Sequence, residues 1–219
     1  MQAEGNDVWP IWEPLFARFL NQDGGNDVAH DQAHIQRVVA NSRKLADEEN
    51  AQLAVVIPAA WLHDCITMQK DSPHRSMASR MAASKAGDFL HESGYPAQYI
   101  PAIQHAISAH SFSAQIPPET LEAKIVQDAD RLDAVGAIGI ARCFTIGGIL
   151  GTRLYDPFEP FPDARSVNDR ENTVDHFYAK LLKLAATMQT AAGKREAVRR
   201  TKFMQQFLDQ LRKEIQAHE

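Results

Sequence analysis

The chain has 219 residues, a hydrophobic content of 44% and a formal net charge of −5. This length allows one domain with a sizeable core, while the acidic balance argues against nucleic acid as a partner. The sequence begins without a signal-peptide pattern and has no apolar run of membrane-spanning length, so we expect a cytoplasmic protein with no membrane partner.

Helical periodicity dominates the sequence, and no segment alternates with the period of two that is typical of a strand. The pattern therefore predicts an all-α fold with few or no strands. Pro101 either kinks one helix or marks its true start. The predicted helices cover residues 9–22, 33–49, 51–64, 76–94, 96–112, 118–144, 173–192 and 194–217.

Two stretches lack this periodicity. Residues 68–75 are polar and predicted to form a loop, and residues 151–172 contain one Gly, three Pro and three Asp. A loop as long as the second one is usually functional or disordered when it lies inside a compact domain. It is either a connector or a segment that reaches over a pocket and selects a substrate. The side chains considered for substrate selection are Arg153, Tyr155 and Arg165.

The two cysteines, Cys65 and Cys143, do not form a metal-binding motif. Two free thiols are the simpler interpretation for a cytoplasmic protein, although the sequence leaves a disulfide open.

Several possible metal ligands fall at the ends or on the apolar faces of different predicted helices. Helical bundles build metal sites from such facing side chains. A mixture of imidazole and carboxylate favours Mn, Fe, Co, Ni or Zn over Ca. The candidates are His30, His34, His63, Asp64, His105, His110, Asp128, Asp130 and Asp133.

The order of three short motifs is more specific than any single residue. His34 stands in "HIQRV", His63 and Asp64 end "AAWLHD" 29 residues later, and Asp130 lies in "KIVQDADRLDA". With these surroundings, residues 26–145 resemble the HD-domain metal-dependent phosphohydrolases. The stretch from "DPFEPF" through "VDHFYAKLLKLAATM" resembles a stand-alone bacterial subgroup of that superfamily. The resemblance implies a single domain over residues 1–219, an HD-domain helical bundle with a C-terminal helical extension.

The resemblance also implies a set of metal ligands: His34, His63, Asp64 and Asp130. Position 34 is preferred to His30 because "IQRV" follows it, and His30 is left to cap the helix or meet the substrate. Asp133 lies one turn from Asp130 and is a candidate to hydrogen-bond near the ligand, whereas Asp128 points away. The implied cofactor is a divalent ion, one of Mn, Ni, Co, Fe, Mg or Zn.

His110 matches a position that carries an extra ligand in family members with two metals. The usual partner position lies where this chain has His74 and Arg75, and an arginine there would bind phosphate instead. One metal is therefore favoured over two. His105 is interpreted as an ordinary helix residue.

These implications lead to a hydrolase hypothesis, in which a metal with open positions activates water for attack on phosphorus. Asp64 would orient the water, and His110 would transfer a proton or contact the substrate. Lys70 and Arg75 would stabilise the developing charge on phosphate. Arg37 and Arg131 are further candidates for phosphate binding, each as well explained as a surface charge.

The expected partner is a phosphorylated small molecule, a nucleotide in ester or pyrophosphate linkage, and homodimer formation stays open. One alternative is a sensor or regulatory module that binds metal and nucleotide with little turnover. Another is oxygen chemistry at a di-iron site, which would need a second set of ligands.

Overall fold

The structure, a computed structural model, describes residues 8–21, 32–66, 68 and 75–216. Within these ranges there is no strand, only an isolated bridge between Arg153 and Asn172. The prediction of an all-α fold is therefore confirmed. The α-helices are α1 (Trp9–Asn21), α2 (Gln32–Glu49), α3 (Leu53–Leu62), α4 (Ala78–Glu92), α5 (Ile100–His110), α6 (Leu121–Leu132), α7 (Gly136–Leu150), α8 (Asp175–Ala179) and α9 (Ala191–Gln216).

The chain divides into two compact units, residues 1–127 and 128–219, with the boundary inside α6. The single domain expected over residues 1–219 stays a prediction. Each unit has its own packing, and each is described by itself below.

Helix α3 forms the centre of the first unit, where α1, α2 and α5 pack against it. Its residues from Val55 to Leu62 are buried because their side chains are apolar all round the helix. Pro101 lies in the first turn of α5, where a missing N–H costs nothing, so it marks the start of that helix.

The second unit corrects two of the predicted helices. Residues 118–144 form α6 and α7 instead of one helix, because Gly136 has φ = +76° and the preceding N–H groups bond to carbonyls three residues back. Residues 173–192 are also interrupted. The short helix α8 ends at Ala179, because the next residue, Lys180, has a φ of −136°, which is not helical. A 3-10 helix follows over Leu181–Thr187.

Aromatic side chains fill the core of the second unit. The ring of Phe177 lies 5.8 Å from that of Phe144 on α7 and 6.3 Å from that of Phe207 on α9, measured between centroids. Met204 and Leu208 are buried on α9. Met204, Phe207 and Leu208 of α9 therefore belong to the core of this unit.

Both cysteines are free thiols. Burial raises the pKa of the Cys143 thiol to about 11, so this side chain stays protonated and acts as a small hydrophobe.

No single helix in the part of the chain that the structure describes is both long and apolar enough to cross a membrane, although the bent pair α6 and α7 together meets that test of length and composition.

Candidate metal centre

Three helix ends of the first unit bring together the predicted ligands His34, His63 and Asp64 and the predicted catalytic residue His110. His34 lies in the first turn of α2, His63 directly follows α3, and His110 is the last residue of α5. All three histidines are buried, with His63 fully so, whereas the Asp64 side chain keeps 15% of its surface exposed. Since α2 and α5 both pack against α3, the fold itself places these side chains at one point.

The carboxylate of Asp64 is the centre of this cluster. Its Oδ2 lies 3.4 Å from Nε2 of His63 and 3.9 Å from Nε2 of His34, and its Oδ1 lies 3.4 Å from Nε2 of His110. One ligand atom each from His63, Asp64 and His110 lies within 4.8 Å of the others. Three imidazole nitrogens thus surround one carboxylate.

Backbone hydrogen bonds determine which nitrogen carries the proton in the neutral form of two of these rings. Nδ1 of His63 donates to the carbonyl of Ala60 at 2.8 Å, and Nδ1 of His110 donates to the carbonyl of Ile107 at 2.7 Å. In a neutral imidazole the other nitrogen then carries a lone pair. The lone pairs on Nε2 therefore face the Asp64 carboxylate, which is the tautomer that metal-binding histidines adopt.

The spacing within the cluster also fits a divalent ion. Two ligand atoms that are each about 2.1 Å from one ion, at a tetrahedral angle, lie about 3.4 Å apart. The contacts from His63 and His110 to Asp64 have this length and exceed an ordinary hydrogen bond. Imidazole nitrogen and carboxylate oxygen are the donors that Mn, Fe, Co, Ni and Zn accept.

Comparisons with known proteins agree with this arrangement. A model of the HD domain matches residues 32–135. Over 190 residues, 85% of the chain and 84% of its relative, the sequence is 34% identical to the uncharacterized protein YpgQ of Bacillus subtilis. The chain belongs to the HD-domain superfamily.

Solved structures extend the likeness over nearly the whole chain. The crystal structure of an HD-superfamily hydrolase from Bacillus thuringiensis is 33% identical, with a TM-score of 0.71, covering 94% of this chain and 98% of that one. The structure of B. subtilis YpgQ in complex with ADP is 32% identical, also with a TM-score of 0.71, covering 92% and 97%. The family predicted from the sequence is confirmed, and with it the hydrolase class in general.

The predicted ligand Asp130 lies on the last turn of α6, in the second unit of this HD-domain protein. Its neighbours on that turn make contacts within the same unit. Arg131 donates to the carbonyl of Thr187 at 2.5 Å, and Asp133 is buried and paired with Arg142. These contacts favour a structural role for Arg131 over the predicted phosphate binding. They also favour a structural role for Asp133 over the predicted hydrogen bond near the ligand Asp130.

Other candidates separate into structural residues and residues that the structure does not describe. His105 is structural, because its Nε2 accepts the N–H of Glu119 at 3.1 Å. Arg37 lies one turn after His34 on α2 and is half-buried. His30, Lys70 and His74 lie outside the described residues, as does the side chain of Arg75, whose backbone begins a 3-10 helix.

In the loop 151–172, Arg165 is held by its own unit. Its guanidinium makes two hydrogen bonds, of 2.5 and 2.6 Å, to the fully buried carboxylate of Asp175. This pair fixes the loop to α8. This contact favours a connector role for residues 151–172 over substrate selection, the two alternatives that the sequence left open.

One supporting residue escaped the sequence analysis. Gln127 is buried on α6, and its Nε2 donates to the carbonyl of Ala109 at 2.7 Å, next to His110. The only signal was an amide within the apolar run "KIVQDA". It steadies the end of α5 from which His110 extends.

Proposed function

We propose that the protein is a metal-dependent phosphohydrolase that cleaves a phosphate ester or pyrophosphate bond of a nucleotide. The observation that carries this proposal is the convergence of three imidazole Nε2 atoms on the Asp64 carboxylate. In His63 and His110, Nδ1 is hydrogen-bonded to a backbone carbonyl, which leaves Nε2 to bind a metal ion in His63 and to accept a proton in His110. The presence of ADP in the structure of the relative YpgQ supports a nucleotide as the substrate class.

The proposed ligands of one divalent ion are His34, His63, Asp64 and Asp130. The first three are supported by the contacts of His34 and His63 with the Asp64 carboxylate in the first unit, and Asp130 by the resemblance of "DADRLDA" to the family motif. A bound divalent ion supplies Lewis acidity, which lowers the pKa of a water molecule and offsets negative charge on a phosphoryl oxygen.

The protein's own groups would then orient the reactants and move protons. The second carboxylate oxygen of Asp64 accepts a hydrogen bond from the attacking water and so aims a lone pair of that water at phosphorus. His110 would accept a proton from that water through Nε2, because its Nδ1–H is already committed to Ile107. As the new bond from water to phosphorus forms, the bond from phosphorus to the leaving oxygen breaks, and that oxygen keeps the bonding electron pair. Lys70 and Arg75 remain the proposed partners of the phosphate charge, as donors to its oxygens.

The test is an assay of phosphate and pyrophosphate release from nucleoside mono-, di- and triphosphates in the presence of Mn²⁺. We expect release by the wild type and loss of release in Asp64→Ala and Asp130→Ala. His110→Gln should lower turnover by about 10²–10⁴-fold if the imidazole transfers a proton. The matched control is His105→Gln, on the same helix, which should leave turnover unchanged.

Two results would favour a different function for the protein. Mn²⁺ binding without release from any nucleotide would favour the alternative, a regulatory module that binds metal and nucleotide. Two irons per chain would instead favour di-iron oxygen chemistry. Equal activity in His110→Gln and the wild type would remove His110 from the mechanism.

A further inference from the structure

Asp128, two residues before Asp130, is fully buried against the start of α9. Its carboxylate accepts hydrogen bonds from the backbone N–H groups of Gln189 and Thr190 and from the Thr190 hydroxyl, all at 2.8 Å. The Thr190 hydroxyl in turn accepts the N–H of Gly193 at 3.0 Å. The carboxylate and the hydroxyl therefore satisfy N–H groups that the start of a helix leaves without partners.

The first turn of α9 approaches this carboxylate as closely as a glycine allows. A Cβ atom at Gly193 would lie 2.4 Å from Oδ2 of Asp128 and 2.8 Å from Oγ1 of Thr190. A Cβ atom essentially never comes this close to an oxygen to which it is not bonded, so a side chain at position 193 would displace the carboxylate. Helices α6 and α9 are therefore in direct contact at Asp128, with no room for a side chain at position 193.

Two arginines hold the same turn of α6. Arg131 donates to the carbonyl of Thr187 at 2.5 Å, and Arg200 on α9 donates to the carbonyl of Leu132 at 2.7 Å. With Asp128, these contacts fix the last turn of α6 at three of its residues. Asp130 lies about 200° around the helix from Asp128, so its side chain extends from the opposite side of α6. Because the contacts at Asp128, Arg131 and Leu132 hold this turn, it cannot rotate freely about the helix axis.

We infer that Asp128 is a positioning residue for Asp130: by anchoring α6 to the start of α9, it sets the direction in which the proposed ligand extends. The inference rests on the proposed function, in which Asp130 binds the metal. Removing groups that orient a metal ligand typically weakens metal affinity about 10–100-fold. Asp128 therefore contributes to metal binding without touching the metal.

The test measures the Kd of Mn²⁺ by calorimetry on the full chain, together with the thermal midpoint of each variant. Asp128→Asn replaces an acceptor oxygen with an NH₂ group that faces donors, and we expect about 10–100-fold weaker Mn²⁺ binding. The matched control is Asp175→Asn, which breaks the hydrogen bonds of another fully buried aspartate in the same unit. The control should lose stability but keep the wild-type Kd.

A second pair of variants covers the case in which Asp128→Asn fails to fold. Thr190→Val removes the hydroxyl that donates to Asp128, and Thr190→Ser retains it. Thr152→Val is the control, because the Thr152 hydroxyl also bonds to a carbonyl and to a second threonine in this unit. We expect weaker Mn²⁺ binding in Thr190→Val only, with the wild-type Kd restored in Thr190→Ser.

The outcomes separate this inference from the proposed function. If Asp64→Ala loses Mn²⁺ while Asp128→Asn and Thr190→Val bind it with the wild-type Kd, the positioning role is overturned and the metal site stands. Equal weakening in the test variants and their controls would also overturn it, because that would reflect general destabilisation. If the wild type does not bind Mn²⁺, the proposed function fails and this inference fails with it.

Discussion

Replacing Arg165 with methionine should destabilise the protein strongly, because it leaves a buried carboxylate without its counter-charge. The Asp175 carboxylate is fully buried and accepts two hydrogen bonds from Arg165 and one from the N–H of Asn168 at 2.7 Å. Arg165 also donates to the carbonyls of Glu159 and Ser166. Methionine retains the packing of the aliphatic stem but removes all of these donors.

The expected loss is about 3–5 kcal/mol, the usual cost of breaking a buried ion pair from one side. With a urea m-value of about 2 kcal/mol/M, the unfolding midpoint should fall by about 1.5–2.5 M. The double variant Arg165→Met/Asp175→Leu should recover much of this loss, because it removes both charges.

The pH dependence provides a second measure of the pair. Burial acts to raise the pKa of Asp175, but the hydrogen bonds from Arg165 and Asn168 outweigh it and hold the pKa below its usual value. The pair therefore stabilises the fold above the unfolded-state pKa of aspartate, and this contribution is lost as the pH falls through the folded-state pKa. Arg165→Met lacks this contribution, so its free energy of unfolding should fall less than that of the wild type over the same pH range.

Urea unfolding of the two single variants and the double variant completes a thermodynamic cycle. A loss below about 1 kcal/mol in Arg165→Met would refute the reasoning, because the pair would then behave like a surface ion pair. If the folded variant instead kept its stability and lost turnover, Arg165 would belong to substrate selection.

Three further outcomes follow from other parts of the structure. Gly193→Ala should lower the free energy of unfolding by about 1–3 kcal/mol, since its Cβ would meet Asp128. In Gly148→Ala the added Cβ would have nothing within 4 Å, so this variant should raise the free energy of unfolding by up to about 1 kcal/mol. Thermal unfolding of the two variants measures both changes. Hydrogen bonds from Arg199 and Arg200 lower the pKa of Glu196 to about 2, so the stability gap between wild type and Glu196→Gln should shrink as the pH falls from 4.5 toward 2. Mn²⁺ at 100 times its Kd should stabilise the fold by about 2.7 kcal/mol, which calorimetry would detect as a rise of about 5–10 °C in Tm, and no shift would contradict metal binding.

Periodicity was a good guide where a helix is buried on one face or all round. The helical content and the placement of His34, His63 and His110 at helix ends followed from this signal. The helix break between α6 and α7 did not, because several glycines follow Asp133 and the pattern does not tell which one adopts φ > 0. Gly136 does so, and its neighbours turn there.

Contacts between charged residues were harder to predict than helices. The pairing of Arg165 with Asp175 depends on the path of an irregular loop, which no periodicity describes. The anchoring of Asp128 is similar, since it needs the start of α9 to approach from 62 residues further along the chain. Thr190 did carry a local signal, because threonine is a common residue just before a helix. Nothing in the sequence indicated which group it would bond to.

The burial of the histidine and aspartate side chains at the candidate metal centre explains why metal binding and stability should be linked. His63 is fully buried beside a largely buried carboxylate, and a charge in such surroundings costs free energy unless an opposite charge compensates it. The Nδ1–H groups of His63 and His110 are directed to the carbonyls of Ala60 and Ile107 and therefore do not compensate the Asp64 carboxylate. A divalent cation at the proposed site would supply the opposite charge. The stabilisation that we expect from Mn²⁺ and the loss of turnover that we expect in Asp64→Ala are therefore two consequences of the same electrostatic requirement.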